Sequence, residues 1–267
     1  MPSGKERFAM FSFASLRRKR LRHREFPPGW LAAIERNVPV YRLLPAAGRH
    51  ELLGHVQVFL AEKQFAGAGD LAVDDEMRAT IAAQACIPLL NRPRDYYPRL
   101  SSLVIYAGEY LAPVREVDEA GVVTEGILCR SGESWEGGAI ALSWEDVLLA
   151  GVPGEDDYNV VIHEVAHQLD QEDGISDAML LAGEGETVAA LGRLLAEAYA
   201  ELAADVAAGR EPVFDPYGAE TPAEFFAVTV ECFFGLPQLL SEWYPDLYRE
   251  LAGYFGQDPV AQWRWPA

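Results

Sequence analysis

The stretch NVVIHEVAHQLDQEDG, residues 159–174, decides how the rest of the chain is read. His163-Glu164-Val165-Ala166-His167 fits the H-E-x-x-H pattern. On an α-helix, residues four apart lie one turn above each other on the same face. His163 and His167 are therefore placed to offer two imidazoles to one metal ion. Glu164, one residue on, reaches a water at that ion from the side and takes its proton, the ion lowering the water's pKa towards about 7. Val160, Val161, Val165 and Leu169 form an apolar stripe, Asp156 and Asp157 suit an acidic start, and Gly174 suits a stop. The spacing predicts a helix. The competing reading is an ordinary buried helix whose imidazoles are satisfied by hydrogen bonds. Two of only five histidines complete the pattern, which favours the metal.

A zinc site of this type needs a third protein ligand and an open fourth position. Three acids are candidates. Asp173 lies six residues past His167, but the sharp turn required before it needs glycine at position 170, where Asp170 stands. Glu224 sits in TPAEFFAVTVECFF, where Thr221-Pro222-Ala223-Glu224 also reads as a capping box with proline at the first helical position. The helix behind it is almost wholly apolar and must be buried. Glu231 recurs seven residues later on the same face, and two acids on one face of a buried helix require partners. Ligation by Glu224, with Glu231 behind it holding a ligating histidine, meets that need. So does ligation by Glu231 itself, with Glu224 reduced to a cap. Spacing leaves both open.

The 267 residues suffice for one large domain or two small ones. Half are hydrophobic, 11% aromatic and 24% charged, the profile of a globular chain. A formal net charge of -19 argues against nucleic acid as a partner, because polyanions repel such a surface. Cys86, Cys129 and Cys232 form no C-x-x-C pair and read as buried free thiols in a reducing cytoplasm. No stretch approaches the length of a membrane span. Near the N-terminus LRRKRLRHRE follows apolar residues instead of preceding them, the wrong order for a signal peptide. Residues 1–28 read as a flexible basic arm, and 29–267 as a single domain.

Within that domain, apolar residues recur at helical spacing over 29–95, as in HELLGHVQVFLAEKQF and DDEMRATIAAQACIPLL. Over 100–146 the character changes. SSLVIYAGEYL, GVVTEGILCR and GGAIALSWEDVLLAG are short and rich in β-branched and aromatic residues, and read as strands of one small sheet. Helical spacing returns over 155–260, which includes the motif helix. The expected fold class is α+β, mainly helical with one small sheet.

The segments HEVAHQLD, FDPYGAETPAEFFAVTVECFF and SGESWEGGAIALSW together resemble the Mlc titration factor A family of bacterial zinc metallopeptidases, from about Trp30 to the closing helix. The two helical motifs are also similar, more distantly, to the catalytic domain of anthrax lethal factor. The resemblance implies a zincin-like fold, Zn2+ on His163, His167 and Glu224, and Glu164 as general base. It implies for Tyr217, otherwise one tyrosine in a turn, a hydrogen bond to the tetrahedral oxyanion. It implies aminopeptidase-type activity on short peptide substrates. Zincins commonly hold the substrate backbone along an edge strand, and residues 138–143 are expected to serve unless that strand is interior. Trp135 and Trp144 read as core. The family is named for sequestering a transcriptional repressor of glucose uptake, so the resemblance equally implies a repressor protein as partner. An acidic surface suits a basic DNA-binding domain.

Overall fold

The structure is a computed structural model that describes residues 14–92, 96–117, 123–130, 132–135, 138–176 and 186–265. Helix α1 covers residues 14–22, followed by α2 (Pro28–Asn37), α3 (Pro39–Leu43), α4 (Ala46–Glu62) and α5 (Asp75–Cys86). Proline opens α2 and α3, where its missing N–H costs nothing. Asp74 caps α5 by accepting from Met77 N at 2.9 Å, and Asp75 and Glu76 meet the positive end of the helix. Of the expected basic arm, residues 14–22 are α1, which is docked on the body; residues 1–13 lie outside the described residues. Arg18 Nε and Nη2 each lie 2.9 Å from the Glu62 carboxylate, and Arg22 Nε donates to Tyr96 OH at 2.8 Å. The charge run reads as solvated because its partners stand 44 and 74 residues away.

The helical reading also ran past Glu62. The chain instead turns there into β1 (Gln64–Gly67), too short to show a period of its own. Strand β1 pairs in parallel with β2 (Ser102–Tyr106), which pairs in parallel with β6 (Ala139–Ser143). Strand β5 (Gly132–Trp135) closes that sheet antiparallel to β6, giving the order β1-β2-β6-β5. Leu103, Ile105, Ile140, Ala141 and Leu142 are buried, as strands covered on both faces require. Strands β3 (Tyr110–Val117) and β4 (Val123–Arg130) form a separate antiparallel ribbon. The single sheet expected over 100–146 is thus two, and the larger one recruits β1 from outside that span.

Helices α6 (Trp144–Leu148), α7 (Val160–Asp173), α8 (Glu186–Ala207), α9 (Pro222–Gly235), α10 (Pro237–Trp243), α11 (Pro245–Phe255) and α12 (Pro259–Gln262) complete the chain. The architecture is mainly helical α+β, as the zincin-like reading expects. Helix α9 is the apolar axis of this half: residues 225–235 are all buried, packed on α7, α8 and α10. Phe233, Phe234 and Phe255 cluster with ring centroids 4.9–5.3 Å apart, one pair stacked and two edge-to-face, tying α9 to α11. Among the described residues no single helix is long and apolar enough to cross a membrane. Trp144 is partly buried against the core; the side chain of Trp135 lies outside the described residues.

Candidate metal centre

The motif helix starts later than its acidic prelude suggests. Asn159 is the cap, its side chain accepting from Ile162 N at 2.9 Å, while Asp156 and Asp157 lie before the first turn. Gly174 ends α7 in the left-handed conformation at φ 67°, returning its N–H to Asp170 O. Between those ends His163 and His167 stand one turn apart with ring centroids 4.9 Å from each other.

Helix α9 supplies the acids. Thr221 Oγ1 accepts the N–H of Glu224 at 3.1 Å, so the cap is real. It engages only the main chain of Glu224. The carboxylate turns to the histidines, with Oε2 3.0 Å from His163 Nε2 and 3.3 Å from His167 Nε2. Two turns on, Glu231 reaches the far side of the same imidazole: Oε2 lies 2.7 Å from His163 Nδ1, and Oε1 accepts Asn159 N at 2.8 Å. One acid of α9 therefore ties the start of α7 to the first motif imidazole. Asp173 goes elsewhere, accepting from Tyr254 OH at 2.7 Å at the end of α7. Among the described residues, His163, His167 and Glu224 form the group of three donors able to hold a metal, all within 4.8 Å of one another.

Glu164 is 5% exposed, and its Oε2 is buried with no hydrogen-bond partner among the described residues. Burial pushes its carboxyl up to about 7 against the pull of His163 and His167. Burial alone would discharge His163, but its bonds to Glu224 and Glu231 outweigh that and raise its pKa well above the usual value. Glu224 is held well below the carboxylate range, the two imidazoles outweighing its own burial. Ligation needs neutral imidazole, so a metal ion competes here with a proton.

Tyr217 lies on the short 3-10 turn Pro216–Ala219, whose start Asp215 caps by accepting Tyr217 N at 2.8 Å. A side chain at Gly218 would press on Leu202, Phe225 and Val228, which anchors the turn between α8 and α9. The Tyr217 ring is 43% exposed, with its centroid 6.0 Å from that of His163. The strand over 138–143 is interior, flanked by β2 and β5. The edge beside α7 is β5 instead, where the missing side chain of Gly132 faces Glu164. Sequence reading gave Gly132 and Asn159 no such place, and put Asp157 in the acidic start of the helix that it precedes. A glycine at the start of a strand signals close backbone approach, and that cue was present in SGESW.

Two imidazoles one turn apart, a carboxylate from a second helix and a buried acid beside them define a metal-centre class of α+β protein, and the donor set fits a divalent ion. The model of the family "Glucose-regulated metallo-peptidase M90" matches residues 13–256, and the chain belongs to that family. It is 35% identical over 245 residues to an uncharacterized protein of Synechocystis, covering 91% of this chain and 89% of that one. It is 31% identical over 245 residues to the Mlc titration factor A of Pectobacterium atrosepticum, covering 87% of each. The same-named protein of Serratia proteamaculans is 29% identical over 231 residues, covering 84% of this chain and 86% of that one.

Proposed function

We propose that the chain is a zinc-dependent peptidase, with zinc held by His163, His167 and Glu224. The observation that carries this is the approach of Glu224 Oε2 to both motif imidazoles from a separate helix. Two nitrogens and one carboxylate oxygen match the set zinc takes when one position is kept for chemistry. Bound there, zinc supplies Lewis acidity to a scissile carbonyl and to water. Glu164 takes the proton of the attacking water and later hands it to the leaving amine, and a carboxyl poised near 7 suits both transfers. Glu231 accepts from His163 at Nδ1 and fixes the ring with Nε2 towards Glu224. Tyr217, at the exposed rim, donates to the oxyanion that forms only in the transition state.

The substrates we assign are short peptides, cleaved in aminopeptidase fashion, on the strength of the motifs shared with the titration-factor family. The buried free thiols Cys86 and Cys232 suit a reducing cytoplasm. A second reading has its own support. Relatives are named for titrating Mlc, and a net charge of -19 suits docking to a basic repressor domain.

Metal analysis and a peptide assay test the first reading. Wild type should hold about one zinc per chain, and Glu224→Ala should lose most of it. Glu164→Gln should keep the zinc and hydrolyse short peptides at least ~10²-fold more slowly. A wild type that takes up no zinc when it is supplied overturns the peptidase reading. Repressor binding that survives Glu164→Gln assigns that function to the surface and not to the chemistry.

A further inference from the structure

We infer that Gly132 is a positioning residue for Glu164, its missing side chain being what leaves room for the carboxylate where it stands. The inference rests on the reading of Glu164 as the base. Gly132 opens β5 opposite Leu142 of β6, and the strand packs along α7. A Cβ at this position would lie 2.6 Å from Glu164 Oε1, 2.7 Å from Val160 Cγ2 and 3.0 Å from Glu164 Cγ. Real Cβ atoms essentially never come closer than 3.0 Å. Val160 and Glu164 are each 5% exposed, so neither has open solvent to retreat into.

The need for glycine here is steric. The Gly132 backbone is not among those with positive φ, so a residue with a side chain could adopt it. Gly174 is the opposite case, with φ 67° and nothing within 4 Å of a built Cβ. The steric need falls on a side chain whose buried Oε2 has no hydrogen-bond partner among the described residues, whereas His163 is bonded through both ring nitrogens. Packing against β5 and Val160 therefore sets the direction of the Glu164 carboxylate. A methyl group on Gly132 must push that carboxylate, the strand or Val160 aside. A displacement of about 1 Å at a reacting group is enough to cost ~10²-fold in rate.

A four-protein cycle tests this: wild type, Gly132→Ala, Glu164→Ala and the double variant. Zinc content, melting temperature, kcat and KM are measured on each. Gly132→Ala should hold wild-type zinc, keep KM within about twofold and lose ~10- to 100-fold in kcat. It should also lower the melting temperature by several degrees in the wild-type background (about 4 °C per kcal/mol or less for a chain of this size). In the Glu164→Ala background that drop should shrink, because the contacts with Glu164 are gone and only the one with Val160 remains. Equal drops in the two backgrounds, or two equally insoluble alanine variants, would overturn the proposal, since the methyl group would then be acting on Val160 and the strand alone. A kcat unchanged by Gly132→Ala would overturn it as well. If wild type cleaves no peptide, the peptidase reading fails while the melting-temperature cycle still decides whether Gly132 positions Glu164.

Discussion

Two helical histidines invite comparison, His55 buried on α4 and His163 partly buried on α7. Both are bonded at both ring nitrogens. His55 has the Tyr96 phenol at 2.7 Å and Glu51, four residues back on its own helix, at 3.2 Å. His163 has two carboxylates, both from α9, and a second imidazole one turn away. The first arrangement ends in a neutral phenol that also accepts from Arg22, so the relay knits α1 to α4 and has nothing left to offer a ligand. The second gathers like-charged carboxylates that only a cation reconciles: a proton, or a metal ion. Burial of a histidine thus says little about function, and the charge of its partners says a great deal.

The comparison breaks most sharply at Tyr217. If the His163 cluster is catalytic, Tyr217→Phe should lower kcat by ~10²-fold with zinc content and fold intact, on the magnitude of one lost oxyanion donor. An unchanged kcat would return Tyr217 to the surface. Next comes the acid behind the ring. Glu231→Gln should weaken zinc affinity by ~10- to 100-fold in competition with a chelator, as losses behind a ligating histidine do. Equal affinity would make Glu231 only a tie between α7 and α9.

A smaller effect concerns the acid nest itself. Burial, and then the charge of Glu231, push Asp157 up to about 6 from its ordinary 3.8. The folded state therefore keeps a proton that the unfolded chain gives up between those values. The stability held below about pH 4 is lost as pH rises through 6. Asp157→Asn should be more stable than wild type at pH 8 by about 2 kcal/mol, with no gain at pH 3.5, in denaturant titrations. A gain independent of pH would trace to packing. Smallest, and on the other side of the comparison, His55→Ala should cost about 1 kcal/mol by removing one of the two partners of the Tyr96 hydroxyl, and leave zinc binding untouched. Lost zinc in that variant would join the two regions after all.

The motif helix was legible because its signals are local. Two histidines at one-turn spacing with a glutamate beside them, an apolar stripe and a terminal glycine lie within sixteen positions. The cap on α9 was legible for the same reason. The docking of α1, the split of the sheet and the interior place of residues 138–143 were not. Each depends on a partner far along the chain: Glu62 for Arg18, Ser102 for Gln64, Ser102 for Ala139. The misplaced acidic start of α7 is instructive in another way. Asp156 and Asp157 look like first-turn acids, yet Gly235 packs against Asp157 and holds that segment outside the helix.

The sequence by itself determined that two imidazoles would share one helical face with a carboxylate beside them, and that a buried α9 would carry two acids in need of partners. Those facts follow from 3.6-residue periodicity and from the cost of burying charge, which act within a few turns. Only the tertiary structure decided that Glu224 meets both imidazoles while Glu231 takes the far side of one. The same holds for the edge of β5, which passes Glu164 with a bare Cα. Both depend on how helix and strand pack across tens of residues, and no spacing along the chain encodes that distance.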